Sequence, residues 1–243
     1  MKIDVITLFP PLVESVLAYG VVARAKDRSL MLQTWNPREF AKDRYQTVDD
    51  KSYGGGPGMV MKYQPLYDCL QAIKAQNQGQ IIYLSPQGRL LNQKKIIDWS
   101  TQDSLVLLSG RYEGIDERLI ENCVDEEWSL GDYVISGGEL AAMVVIDAIA
   151  RLLPQVLGNE DSASQDSFMN GLLDHPHYTR PDVINGVKVP SVLLEGNHAH
   201  IERWRIKQAL GRTWLRLPEL LDQLELSKVE QQLLDEFIAE FNK

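Results

Sequence analysis

Cysteine is scarce in this 243-residue chain. Cys69 and Cys123 stand far apart, with no metal-ligand or redox spacing. A disulfide framework is therefore excluded, and two packed thiols in a reducing cytosol are expected. Long apolar runs are missing as well. The best candidate, Leu140 to Leu153, carries Asp147 and Arg151 and is stopped by Pro154, so no segment reaches the ~18 apolar residues of a membrane span. No signal-peptide pattern is expected at the start, because Asp4 breaks a short run that soon meets Pro10 and Pro11. No Gly-x-Gly-x-x-Gly follows a strand and no Gly-Lys dipeptide occurs, which argues against the usual dinucleotide site and against a P-loop. Internal repeats and low-complexity tracts are also absent. Bases are outnumbered by acids, 25 to 34, for a net charge of −9, and such a total does not favour a phosphate-rich partner.

What is present points the other way in two places. Gly196 to Pro218 holds Arg203, Arg205, Lys207, Arg212 and Arg216 against Glu202 alone, a local balance of +4. Arg24, Lys26, Arg28, Arg38, Lys42 and Arg44 face Asp27, Glu39 and Asp43, a local +3. Local patches, not totals, decide where a polyanion docks; the alternative for either patch is a solvated helix face. Glycine-bearing turns are the stronger signal. Ile81 to Leu84 runs into Ser85-Pro86-Gln87-Gly88, and Leu105 to Leu108 runs into Ser109-Gly110-Arg111-Tyr112-Glu113-Gly114. A third, Ser129 to Leu140, opens a long apolar stretch. Short apolar runs ending in Gly or Pro read as buried parallel strands. Ligands of open α/β sheets bind beyond the carboxyl ends of such strands. Three loops meeting there, mixing glycine with Tyr, Ser, Gln and acids, suit a sizeable polar ligand held by backbone groups.

The rest of the chain reads as an α/β domain followed by helices. Lys2 to Leu8 is a first strand, Pro10 can start a helix supplied by Leu12 to Lys26, and Ser29 to Trp35 is a second strand. Tyr53 to Met59 is a dense glycine loop, and Pro65 opens a helix with Leu66, Leu70 and Ile73 on one face. Alternation continues through Ile81–Leu84, Lys94–Trp99, Leu105–Leu108 and Glu117–Asn122. Glu139 to Leu153 is apolar nearly all round and should be buried against the sheet, a partner chain, or both. Asn159 to Ser167 is polar and aperiodic and reads as a mobile linker. The division is residues 1–157 as the α/β domain, 158–175 as a flexible linker and 176–243 as a helical domain. In the last, Ser227 and Glu230 make a capping box, and Leu233, Leu234, Phe237, Ile238 and Phe241 form an apolar stripe.

These blocks together resemble the bacterial tRNA (guanine-N1)-methyltransferase family of the knotted SPOUT class. The resemblance rests on Thr47-Val48-Asp49-Asp50, Tyr53-Gly54-Gly55-Gly56-Pro57-Gly58-Met59, Tyr83 to Gly88, Gly110 to Arg118, Glu127 to Val134, Gly137-Gly138-Glu139-Leu140, Pro176-His177-Tyr178-Thr179-Arg180-Pro181 and Arg212-Thr213-Trp214-Leu215. It implies an α/β fold with a SPOUT-type parallel sheet and a C-terminal trefoil knot, a rare exception to the rule against knots, plus a small helical domain that binds tRNA. It implies S-adenosylmethionine held by Tyr83, Leu84, Ser85, Pro86, Gly110, Tyr112, Glu113, Ser129, Leu130, Gly131, Asp132, Tyr133, Val134, Ile135, Gly137 and Gly138. A cytoplasmic homodimer with active sites shared between subunits is implied too. Ala141 departs from the pattern, since the family usually has proline after Glu-Leu, and this bears on the shape of the loop rim.

The implied reaction methylates N1 of the guanine immediately 3′ of the anticodon, guanine 37. That nitrogen carries a proton at neutral pH, so a base must remove it and a cation must stabilise charge on the neighbouring carbonyl oxygen. By motif match the base is Asp166 and the cation Arg151, with a magnesium ion held partly by Glu113 as the alternative. An unperturbed aspartate, pKa about 3.9, is a poor base and works here only when desolvated. A base on a linker that substrate RNA orders would couple recognition to chemistry. Without the resemblance, Asp166 reads as a solvated acid and Arg151 as a charge meeting a helix dipole. His177, Tyr178 and Arg180, with Arg203, Lys207 and Arg212, are the expected RNA contacts. The pairs His175-Pro176-His177 and His198-Ala199-His200 could each offer two imidazoles to zinc, but proline sits inside one pair and no cysteine accompanies either, so no metal site is assigned. His175 stands where the family commonly has cysteine. Rival readings are an RNA-binding module that holds the donor without turnover, a nicotinamide or flavin oxidoreductase, and a related knotted enzyme acting on ribose or ribosomal RNA.

Overall fold

A computed structural model describes residues 1–158, 163 and 165–243. They fall into two compact units, Met1–Glu160 and Asp161–Lys243. Of the expected linker, residues 159–162 and 164 lie outside the described ones.

The first unit is built on five parallel strands in the order β2-β1-β6-β5-β7. They are β1 (Lys2–Ile6), β2 (Met31–Trp35), β5 (Gln80–Leu90), β6 (Ser104–Ser109) and β7 (Glu126–Ser129). A separate two-stranded ribbon joins β3 (Asp49–Asp50) to β4 (Val60–Met61). Alternation along the strands sorts side chains into two layers. Ile3, Val5, Ile82, Leu84, Leu105 and Leu107 face α1 (Pro10–Glu14), α2 (Gly20–Lys26), α4 (Gln93–Ser100) and α6 (Glu139–Ala150), whose buried Val13, Val22, Ala25, Ile96, Trp99, Val145 and Ile149 complete that core. Ile6, Ile81, Tyr83, Val106 and Leu108 face α3 (Tyr63–Lys74) and α5 (Glu117–Cys123) through Leu66, Leu70, Ile73 and Leu119. Each central strand is apolar on both faces because both faces are covered. Asp4, fully buried between these strands, accepts hydrogen bonds from Trp35 Nε1 and Asn77 Nδ2, both at 2.6 Å. Its charge is thus solvated by donors in place of water.

Two expectations change, and one strand is unannounced. The single helix over Leu12–Lys26 is broken: α1 passes into a 3₁₀ turn at Ser15–Ala18, Tyr19 is extended, and Gly20 starts α2 with φ +68°. Ser85-Pro86-Gln87-Gly88 does not end its strand. Leu84 and Arg89 both register with Trp128 of β7, so the four residues between them bulge out and the strand resumes to Leu90. Strand β7 itself, Glu126-Glu127-Trp128-Ser129, has no apolar alternation that would have announced it. Cys69 is buried and Cys123 half-buried, both as free thiols, and burial pushes the Cys69 thiol up to about 12. No helix among the described residues is long and apolar enough to cross a membrane.

The second unit packs α7 (His198–Arg216), α8 (Pro218–Leu221) and α9 (Lys228–Phe241) around Leu210, Leu233 and Leu234. The Ser227–Glu230 capping box is formed. A Cβ on Gly211 would collide with the Phe237 ring, so glycine is what lets α7 and α9 approach. A short hairpin, β8 (Val183–Ile184) with β9 (Val187–Lys188), precedes the helices.

Candidate active site

The bulge after Leu84, the loop after β6 and the loop between β7 and α6 enclose a cavity of about 400 Å³, within the size range of small-ligand sites. Glycines let the loops around it pack closely. A Cβ on Gly138 would sit 2.7 Å from Ser109 Cα, and one on Gly110 would sit 2.8 Å from the Tyr83 hydroxyl. Gly131 has φ +151°, a conformation that side chains rarely tolerate. Tyr112, with φ 61°, is held in the left-handed region despite its Cβ, a strain that neighbouring structure must impose. Burial, with help from Glu127 and Glu117, pushes the Tyr83 phenol up to about 12, so it stays a neutral hydrogen-bonding group at physiological pH.

A buried ionic clip fixes two of the loops. Arg111 Nε donates to Glu139 Oε2 at 2.9 Å, and Arg111 Nη1 donates to the Ser136 carbonyl at 2.9 Å. Glu139, only 1% exposed, also accepts from Thr7 Oγ1 at 3.0 Å. The guanidinium lies 4.5 Å from the centre of the Phe9 ring, a favourable cation–π distance. Gly138 N–H completes the join by donating to the Gly110 carbonyl at 2.9 Å. The second and third loops and the end of β1 are therefore one hydrogen-bonded body.

A sequence model of the tRNA (Guanine-1)-methyltransferase TrmD family matches residues 1–223. The chain belongs to this family. It is 56% identical over 243 residues to the tRNA (guanine-N(1)-)-methyltransferase of Proteus mirabilis, covering 99% of this chain and 97% of that one. The protein of the same name from Salmonella newport is 56% identical over 99% of this chain and 95% of its own. That of Shewanella woodyi is 55% identical over 246 residues, 100% of this chain and 99% of its own.

Fifteen of the sixteen residues expected at the donor line the cavity: Tyr83, Leu84, Ser85, Pro86, Gly110, Tyr112, Glu113, Ser129, Leu130, Gly131, Tyr133, Val134, Ile135, Gly137 and Gly138. Asp132 is the exception; it is exposed on the same loop and forms no part of the wall. Sequence reasoning missed Gln87, Arg111, Glu127 and Trp128, which also line it. Arg111 belongs to the Gly110–Arg118 motif, but its role depends on Glu139 and Thr7, which are remote in sequence. Arg151 caps the C-terminus of α6 in the first unit. Asp166 is exposed in a turn of the second unit, where its carbonyl accepts from Met169 N–H at 3.3 Å.

The cationic face of α7 differs from its expected form. Arg203 Nη2 pairs with Glu236 at 2.7 Å and Lys207 Nζ with Glu240 at 2.8 Å. Both pairs are spaced four apart on their helices, so packing α7 on α9 neutralises the two cations together. Arg212 is half-buried, while His177, Tyr178 and Arg180 are exposed. His177 Nε2 lies 2.8 Å from Asp174 Oδ2, and the Tyr178 ring is 6.3 Å from that of Trp204.

Proposed function

We propose that the cavity between residues 83 and 138 holds S-adenosylmethionine, and that the protein moves its methyl group to N1 of guanine 37, immediately 3′ of the tRNA anticodon. The observation that carries this reading is the cavity enclosed by the β5 bulge and the loops at the carboxyl ends of β6 and β7. Its lining of tyrosine, serine and glycine suits an adenosine-sized polar ligand, and it has no lysine or P-loop for a triphosphate. The bound donor supplies an electrophilic methyl on a sulfonium.

This chain's residues do the rest. Asp166 takes the N1 proton of guanine, and the lone pair so freed attacks the methyl carbon as the carbon–sulfur bond breaks onto sulfur. Arg151 meets the negative charge that collects on the guanine carbonyl oxygen. A magnesium ion held partly by Glu113 would be the alternative counter-charge. Glu113 is exposed on the cavity wall, and one carboxylate with substrate oxygens suits Mg²⁺. His177, Tyr178, Arg180, Arg203, Lys207 and Arg212 contact tRNA, the first two by stacking on bases. The loops at the β5–β7 edge thread as a trefoil knot. A second copy covers α6, where Leu140 and Val144, four apart on the helix, are 48% and 51% exposed, and the active sites are shared between the two subunits. The division into domain 1–157, linker 158–175 and domain 176–243 lets the linker carry Asp166 to the bound base.

Transfer from labelled donor to tRNA transcripts that differ only at the base after the anticodon tests the reading. Label should enter the guanine transcript and not the adenine one; equal incorporation in both contradicts it. Asp166→Ala should abolish turnover while donor binding persists, and loss of donor binding would remove the assignment of Asp166 as base.

A further inference from the structure

The second unit contains a cluster of metal-ligating groups, of which the proposed tRNA contacts use only His177. Asp174, His175 and His177 bring one carboxylate and two imidazoles so close that their donor atoms all lie within 4.8 Å of one another. Asp174 Oδ1 is 2.7 Å from His175 Nδ1, and Asp174 Oδ2 is 2.8 Å from His177 Nε2. We infer that these three side chains are a binding site for a divalent transition-metal ion, with Zn²⁺ the ion that their chemistry fits best.

The ligand set argues for that class. Imidazole nitrogen with carboxylate oxygen suits Zn²⁺ and its neighbours, whereas Mg²⁺ and Ca²⁺ take oxygen ligands. Zn²⁺ bonds of about 2.0–2.1 Å in a tetrahedron hold donor atoms roughly 3.3 Å apart. The two contacts run to different oxygens of Asp174, and each needs to open by about half an ångström to admit the ion. Three protein ligands then leave a fourth position for water.

The surroundings already orient these ligands, as outer contacts do in metal sites. Asp174 N–H donates to Ser167 Oγ at 2.9 Å, and His175 N–H donates to Asp174 Oδ1 at 2.7 Å. The His175 ring stands edge-on to Trp204 at 6.3 Å and 4.5 Å from the His177 ring. Pro176 between the two histidines restricts the backbone that spaces them. The other histidine pair lacks this convergence: His198 and His200 are exposed, and His200 Nδ1 is 3.6 Å from Glu195, with no third ligating group joining them among the described residues. Spacing along the chain made the two pairs look alike, and Asp174 is what separates them.

The test is Zn²⁺ titration of the chelator-treated full chain, followed by calorimetry and by the absorption of Co²⁺ used in place of Zn²⁺. One ion should bind per chain, with Co²⁺ giving the visible bands of low coordination number. His177→Ala alters a side chain 69% exposed, so the fold should survive. It should weaken binding at least ~10-fold, because even outer-sphere losses cost that much. Asp174→Asn and His175→Ala should do the same, and His198→Ala should change nothing. Absence of stoichiometric Zn²⁺ binding overturns the site, as does binding that survives His177→Ala unchanged or moves with His198→Ala. Because the readout is metal binding, its failure leaves the methyl-transfer reading untouched.

Discussion

The cavity of the first unit and the cationic face of the second present binding groups in different ways. Around the cavity, Gly110 and Gly138 let main chain pack closely, and the Arg111–Glu139 clip ties the loops together. On α7 the charged groups are side chains, and two of them, Arg203 and Lys207, pair with acids of α9. A backbone site is preformed and intolerant of added atoms. A side-chain site paired to exposed acids can trade those partners for phosphates, since surface ion pairs contribute only about 0–1 kcal/mol. The first arrangement suits a small ligand of fixed shape, the second a long polyanion met over a broad face.

The contrast can be broken most forcefully at the clip. Arg111→Met leaves Glu139 buried without its cation, which costs about 3–5 kcal/mol; denaturant unfolding of the first unit should register it, and the cavity should lose ligand affinity with it. Gly138→Ala comes next. Its Cβ would press on backbone at Ser109, and an overpacking cost of about 1–3 kcal/mol should lower donor affinity about 10- to 100-fold, measurable by calorimetry. An α7 change that is equally small in chemistry, Gly211→Ala, should instead destabilise the second unit by about 1–3 kcal/mol through Phe237 and leave donor affinity alone; unchanged melting of that unit would contradict the close helix approach.

Acid should sharpen the picture of the sheet edge. Burial raises the Glu126 carboxyl, but the hydrogen bonds from Lys95 at 2.8 Å and Trp128 at 2.7 Å outweigh it and hold the group below its ordinary range. A depressed carboxyl contributes stability above its unfolded pKa, about 4.3, and loses it as pH falls through the lower folded value. Stability of the first unit should thus decline below about pH 4.3, and Lys95→Met should shrink the decline. The smallest effect is expected from freeing the α7 cations. Glu236→Gln with Glu240→Gln should tighten tRNA binding slightly and steepen its salt dependence; weaker binding would mean that this face does not meet RNA.

Much of this architecture was legible in the residues, for physical reasons. Leu105–Leu108 and Ile81–Leu84 are apolar on both faces because helices cover both, so their runs announce buried parallel strands. Glycines at turns announce the cavity because backbone approach requires them. What stayed hidden depends on distant partners. β7 is a strand because β5 extends along it, although Glu126 and Glu127 lack strand patterning. Tyr19-Gly20 breaks a helix whose apolar spacing runs on past it. Arg111 closes the site through Glu139 and Thr7, and Glu236 and Glu240 neutralise a face whose own segment counts as basic. Asp174 turns one of two similar histidine pairs into a convergent cluster, which spacing along the chain could not reveal.

The central claim is that tightly turned main chain between residues 83 and 138 is the seat of the methyl donor. A crystal grown with S-adenosylmethionine tests it most directly. The donor should lie folded among Gly110, Gly131 and Gly138, hydrogen-bonded to main-chain groups of those loops. Donor density elsewhere on the protein, with this cavity empty, would contradict it.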